Sequence, residues 1–132
     1  MSSQLESLNA AMPFAVKVGM NFVKAEKHEV VGEVVVTPDN CTAGHIGHGG
    51  FIMTIADCAA AIGAVLNLPE GCKTTTTTEA KTNLIGAAPE GSTLRVTASP
   101  VSTGRRLQVW QVKVETADGK LVSLTTQTQM NL

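Results

Sequence analysis

Gly47-His48-Gly49-Gly50-Phe51-Ile52-Met53-Thr54-Ile55-Ala56-Asp57-Cys58-Ala59-Ala60-Ala61-Ile62-Gly63-Ala64-Val65-Leu66 is the stretch whose reading decides the fold. A glycine-dense entrance, with Gly44 just upstream, leads into a helix predicted over 50–66. That helix is apolar nearly all round, so it must be buried on most of its surface. Ala56, Ala59, Ala60, Gly63 and Ala64 keep it thin enough for other backbone to approach closely. It is short for a membrane span, which needs about 20 apolar residues, and it carries Asp57 near its middle. The helix is therefore expected at the centre of a soluble domain.

Outward from the helix the chain reads as strands. Upstream, a short helix over 3–11 is stopped by Pro13, and strands are expected over 14–23 and 28–37. Pro38-Asp39-Asn40 ends the second with turn chemistry. Downstream, strands are expected at about 73–85, 92–101, 105–117 and 120–131. The Asp118-Gly119 pair between the last two is a strong hairpin signal. In the last strand Val122, Leu124, Thr126, Thr128 and Met130 share one face, against Ser123, Thr125, Gln127 and Gln129. In the strand before it the apolar phase shifts from Leu107 and Val109 to Trp110, Val112 and Val114, and one explanation is a β-bulge near Val109. One buried helix after two strands, followed by four sequential antiparallel strands, is an α+β pattern in which a sheet curls around a single helix.

Composition removes several function classes. Ten Lys and Arg face eleven Asp and Glu, for a net charge of −1, so the basic excess of a nucleic-acid binder is absent. With 43% hydrophobic and 16% charged residues the chain is too apolar to be disordered. The aromatics are Phe14, Phe22, Phe51 and Trp110, too few for a platform on which single-stranded bases stack. The 132 residues suit one domain, 1–132. Cys41, Cys58 and Cys72 match no zinc or disulfide spacing, and the first residues lack the basic and apolar regions of a secretory signal. A cytoplasmic location is the expectation.

Asp57 is the most informative polar residue, because a buried carboxylate without partners is costly. It is either a structural acid, hydrogen-bonded or exposed at a gap, or a functional one. The Gly47-His48-Gly49-Gly50 entrance favours function. The first amides of a helix lack intrahelical partners and carry the positive end of its dipole. Glycines there let a ligand oxygen approach, which suits a carbonyl gaining negative charge during acyl transfer. Cys41, His45, His48 and Asp57 are all potential metal ligands, but Cys-x3-His-x2-His on such a loop is no defined zinc motif. In the run Thr74–Thr78 alternation sends Thr75 and Thr77 to one face, with Glu79 and Lys81 continuing that phase. Arg105 and Arg106, after Gly104, are a candidate phosphate contact or simply a solvated pair.

Taken together, several pieces resemble the hotdog-fold acyl-CoA thioesterases, specifically the phenylacetate-degradation thioesterase-like family. These are His48-Gly49-Gly50 before Thr54-Ile55-Ala56-Asp57, and the Thr77…Asn83-Leu84…Ala88…Gly91 strand and turn. Gly104-Arg105 and Asp118-Gly119-Lys120-Leu121-Val122 complete them, and the resemblance spans about residues 14–130. It implies a hotdog fold, a curved antiparallel sheet of five to six strands wrapped around one long central helix. It implies a homodimer, assembled further as a dimer of dimers, with each active site at the interface. Asp57 would be general base or nucleophile, Gly49 with Gly50 would polarise the thioester carbonyl, His48 would shape the loop, and Thr77 would hold the attacking water. Where the family often has an asparagine six residues before the histidine this chain has Thr42, with Asn40 two residues earlier, so both are candidate substrate contacts. The implied substrate is a small acyl-CoA, aryl or medium-chain, with no cofactor beyond the CoA it carries, no metal, no nucleic acid and no membrane. The alternative readings are a non-catalytic acyl- or aryl-CoA-binding module on the same fold, and a hotdog dehydratase.

Overall fold

A computed structural model describes residues 3–132. In chain order the elements are α1 (Ser3–Ala11), α2 (Pro13–Val18), β1 (Asn21–Glu26), β2 (Glu29–Val35), a 3-10 turn (Pro38–Asn40), β3 (Cys41–Thr42), β4 (Ile46–Gly47) and α3 (Gly49–Leu66). Four long strands follow, β5 (Thr75–Leu84), β6 (Thr93–Thr103), β7 (Leu107–Thr116) and β8 (Leu121–Asn131). Six strands form one antiparallel sheet in the order β1-β2-β6-β7-β8-β5, and β3 pairs with β4 as a small separate ribbon. All six strands of the large sheet contact α3, so the sheet wraps the helix.

The α3 helix is apolar and long enough to pass by composition for a membrane span, but it is the core helix here. Phe51, Ile52, Ile55, Ala56, Ala59, Ala60, Ile62, Gly63 and Ala64 are buried against the sheet. Each large aliphatic or aromatic side chain so buried contributes about 1.5–3 kcal/mol. Thinness matters most at Gly63, where an added Cβ would lie 2.5 Å from Cη2 and Cζ3 of the fully buried Trp110. The indole is fixed in turn by a hydrogen bond from Nε1 to Gln108 Oε1, at 2.9 Å. Gln108 Nε2 donates to Ala64 O at 2.9 Å and to Asn131 Oδ1 at 2.9 Å, tying the end of α3 to β7 and β8.

The segment expected as a strand over 14–23 is instead the α2 helix, followed by the start of β1. Pro13 opens this helix rather than only closing the one before it, a position where its missing N–H costs nothing. Gly19, at φ 86°, closes it with N–H bonds back to Ala15 and Val16.

Two further expectations change at bulges. In β7 the inward phase is unbroken, because Gln108, Trp110, Val112 and Val114 are all buried. The apparent shift came from a buried glutamine at a position that reads as polar surface. The bulge is real but lies in the neighbouring strand: Pro100 pairs with Trp110 and Ser102 with Val109, leaving Val101 unpaired. In β5 a second bulge at Thr78 follows the Thr77–Gln129 pair and precedes the Glu79–Thr128 pair. Alternation therefore reverses after Thr77. Ala80 and Thr82, not Glu79 and Lys81, share its cavity.

Candidate active site

The helix entrance is built by a histidine acting as cap. His48 takes an extended conformation, and its Nδ1 accepts the Gly50 N–H at 2.8 Å, one of the amides the helix itself leaves unpaired. Nδ1 must therefore be the unprotonated nitrogen of the ring. The His48 carbonyl takes the Ile52 N–H at 3.0 Å, and its own N–H goes to Asn40 O at 2.8 Å. Of the two glycine amides expected to face a carbonyl, that of Gly50 is already occupied. The Gly49 N–H has no hydrogen-bond partner among the described residues. A Cβ at Gly49 would come within 2.9 Å of Leu84 Cδ1, so the bare backbone lets β5 close up to the helix start.

Two turns along, Asp57 lies on the one stripe of α3 that the sheet leaves open, with Met53, Thr54, Ala61 and Val65. It is half-buried rather than enclosed, and its partners are side chains. Thr77 Oγ1 donates to Asp57 Oδ1 at 2.8 Å, and Gln127 Nε2 donates to the same oxygen at 2.7 Å. Oδ2 takes no hydrogen bond among the described residues, and Asp57 borders a cleft of about 250 Å³ with Met53, Thr54, Thr77, Ala80 and Thr82. Burial, with the Asp57 charge adding to it, pushes the adjacent Cys58 thiol up to about 11, so that sulfur is no nucleophile.

The remaining candidates fall elsewhere. Asn40 and His48 line a larger cleft of about 520 Å³ with Phe14, Lys17, Val18, Asp39, Cys41, Phe51 and Thr54. The side chain of Asn40 donates to Val18 O at 3.3 Å, tying the α2 end to this loop. Thr42 and Gly49 line a third cleft, with Leu84 and Ala88. Among the described residues only Thr54 borders both the Asp57 cleft and the His48 cleft. Arg105 and Arg106 occupy the β6–β7 turn beside Asn131, at the end of the molecule where α3 stops. An 18-residue helix is about 27 Å long, so within one chain they are far from the entrance. Cys41, His45, His48 and Asp57 do not converge. His45 pairs with Glu90 at 3.1 Å, Cys41 Sγ donates to Thr37 O at 3.4 Å, and no metal-binding group of three His, Cys, Asp or Glu forms among the described residues.

Gln127 and Gln129 escaped the sequence reading. The two-face pattern of β8 is there, but the polar face is the one turned inward: Ser123, Thr125, Gln127 and Gln129 are all buried to within 1%. The available signal was Asp57 itself, since a carboxylate on an apolar helix needs donors and β8 is the strand that offers a row of amides.

Residues 44–123 match the thioesterase superfamily, and the chain belongs to it. It is thus a thioesterase-family hydrolase with the hotdog fold. The chain is 28% identical over 114 residues to 1,4-dihydroxy-2-naphthoyl-CoA thioesterase 2 of Arabidopsis thaliana, covering 82% of this chain and 71% of that protein. Among solved structures it superposes on the thioesterase HI1161 of Haemophilus influenzae with a TM-score of 0.90, at 22% identity, covering 100% of this chain and 92% of the other. A variant of the phenylacetic acid degradation protein PaaI of Thermus thermophilus gives a TM-score of 0.84 at 26% identity, over 92% of this chain and 100% of that one.

Proposed function

We propose that the protein hydrolyses an acyl-CoA thioester, aryl or medium-chain, to the free acid and CoA, at a site completed by a second copy of the chain. The observation that carries the reading is the Asp57 carboxylate at the wall of a cleft, with one oxygen bonded by Thr77 and Gln127 and the other without a partner among the described residues. In the general-base form, Oδ2 takes a proton from water as the water oxygen adds to the thioester carbonyl. The Gly49 N–H stabilises the oxyanion. Collapse breaks the C–S bond, and the leaving sulfur takes the proton back from Asp57. In the nucleophilic form Oδ2 itself adds, the C–S bond breaks to release the CoA thiolate, which takes a proton from solvent, and water opens the resulting anhydride to the free acid and the Asp57 carboxylate.

The second copy is argued from what one chain leaves unfinished. The acid and the free amide border different clefts in one subunit. The β5 strand is paired on one side only, and its outer edge presents unpaired backbone groups beside the open stripe of α3, with Leu84 and Ile85 exposed. Two β5 edges joined antiparallel about a two-fold axis continue the sheet and lay the two helices side by side. The Thr75 end of one edge then meets the Leu84 end of the other. This brings the Arg105–Arg106 turn of one copy towards the helix entrance of its partner, where the arginines suit the phosphates of CoA.

The test is thiol release from benzoyl-CoA and octanoyl-CoA, with wild type beside Asp57→Ala. Wild-type turnover that falls at least a hundredfold in the variant is the expected result, in keeping with loss of a general base. Tight binding of both compounds without turnover by wild type would leave the ligand-binding module standing instead.

A further inference from the structure

Behind Asp57 lies a chain of hydrogen bonds that all run one way. Thr75 Oγ1 donates to Gln129 Oε1 at 3.1 Å, which turns the Gln129 amide nitrogen towards Thr77. Gln129 Nε2 donates to Thr77 Oγ1 at 2.7 Å, and Gln127 Nε2 lies 3.2 Å from the same oxygen. With its lone pairs so engaged, the Thr77 hydroxyl turns its single proton to Asp57 Oδ1. The Thr78 bulge is what points Thr77 inward at this place, directly opposite Gln129. Thr77 is therefore committed to the carboxylate rather than free to hold a water.

Packing alone does not account for the glutamines. Gln127 and Gln129 are each 1% exposed, while the inward positions of β6 hold Leu94, Val96 and Ala98 and those of β7 hold Trp110, Val112 and Val114 beside Gln108. Gln127 Oε1 is buried with no hydrogen-bond partner. An unpaired buried acceptor is a standing cost to stability. An apolar isostere would avoid it. The arrangement makes sense where the nitrogen end of the amide is required at Asp57 and the oxygen end is left to bear the consequence.

We infer, resting on the hydrolase reading above, that Gln127 and Gln129 are positioning residues that fix the rotation of the Asp57 carboxylate and reserve Oδ2 as its one reacting oxygen. Gln127 acts directly on Oδ1, and Gln129 acts through the Thr77 hydroxyl. Neither lines the Asp57 cleft, so neither contributes to holding the acyl group.

The experiment compares wild type, Gln127→Met, Gln129→Met, Thr77→Ser, Thr77→Val and Asp57→Ala, on whichever of benzoyl-CoA or octanoyl-CoA wild type turns over faster. Each is read for kcat, KM and thermal midpoint. Removing one donor from a charged acceptor lowers kcat by about tenfold or more in Gln127→Met, with KM unchanged. Because that variant also removes the orphaned acceptor, its thermal midpoint stays level or rises. Gln129→Met and Thr77→Val lose kcat likewise, and Thr77→Ser, which keeps the hydroxyl, retains it. Wild-type kcat in Gln127→Met overturns the inference, as does a loss in which KM and thermal midpoint worsen together with kcat. Activity surviving in Asp57→Ala removes Asp57 as the acting acid and the inference with it, and no turnover by wild type removes the hydrolase reading itself. A silent Asp57→Ala beside a fully active Gln127→Met removes only the role of the glutamines.

Discussion

Replacing Gly63 by alanine tests whether the thinness of α3 is a requirement of the fold or an accident of composition. The new methyl carbon would sit 2.5 Å from two carbons of the Trp110 ring and 3.0 Å from a third. Carbon atoms pack best at about 3.5–4.0 Å, so either the indole or the helix must shift by about 1 Å. Trp110 is fully buried, and its Nε1 is held by Gln108. Overpacking of this kind costs about 1–3 kcal/mol, and disturbing the Nε1 bond costs about 1 kcal/mol more. Against these, alanine is the better helix former by about 1 kcal/mol. The balance is a net destabilisation of about 1–3 kcal/mol. Guanidinium unfolding followed by tryptophan emission reads both consequences at once, since Trp110 is the only tryptophan in the chain. Ala61→Gly, on the open stripe of the same helix, serves as the control for propensity alone, with an expected loss of about 1 kcal/mol. If Gly63→Ala is more stable than wild type by the amount that Ala61→Gly is less stable, with emission unchanged, the close packing of helix and indole is refuted.

Two other outcomes follow from perturbed side chains. Cys58, held up to about 11 by burial first and by the neighbouring Asp57 charge second, resists iodoacetamide in the folded protein at pH 8 and reacts only on unfolding. Peptide mapping of the three thiols after short exposure checks this, and prompt labelling of Cys58 would contradict it. Asp118, in the β7–β8 turn, accepts a hydrogen bond from the Thr116 hydroxyl, which holds its carboxyl below the ordinary range. A depressed folded-state value means stability that is present at neutral pH and lost as pH falls through that value. Asp118→Asn therefore lowers the thermal midpoint at pH 7, and the gap to wild type narrows towards pH 3. A gap that widens on acidification would reverse the sign and refute the linkage.

The sequence made the centre of this molecule legible because composition there has few solutions. An apolar helix of alanines and glycines needs a sheet around it, and its lone acid and glycine entrance stand out against that background. Four strands after the helix were readable for the same reason, through alternation and turn residues. The N-terminal segment misled because Phe14, Val16 and Val18 alternate like a strand. Pro13 and Gly19, at the two positions where a helix favours them, were the contrary signal. The polar row of β8 could be seen but not oriented, since pattern rules place glutamines outside and only the need of Asp57 turns them in. The Thr78 bulge left no mark in a run of five threonines, where a one-residue slip changes nothing that composition records. The distance between the arginine turn and the helix entrance is likewise a property of the assembled sheet, invisible to spacing along the chain.

The helix divides its duties by face, and that division bears on how such a protein can change over generations. Residues turned to the sheet, such as Ile55, Ala59 and Gly63, are fully or almost fully enclosed, and nearly any replacement there disturbs packing. Met53, Thr54, Ala61 and Val65 look outward on the same element, on the stripe that the sheet does not enclose. Larger or smaller side chains at Met53 and Thr54, which line the cavity beside Asp57, would alter its shape without disturbing the face packed on the sheet. Selectivity can thus drift along one stripe of a helix whose opposite side stays fixed, and new substrates become reachable by single steps that leave the scaffold intact.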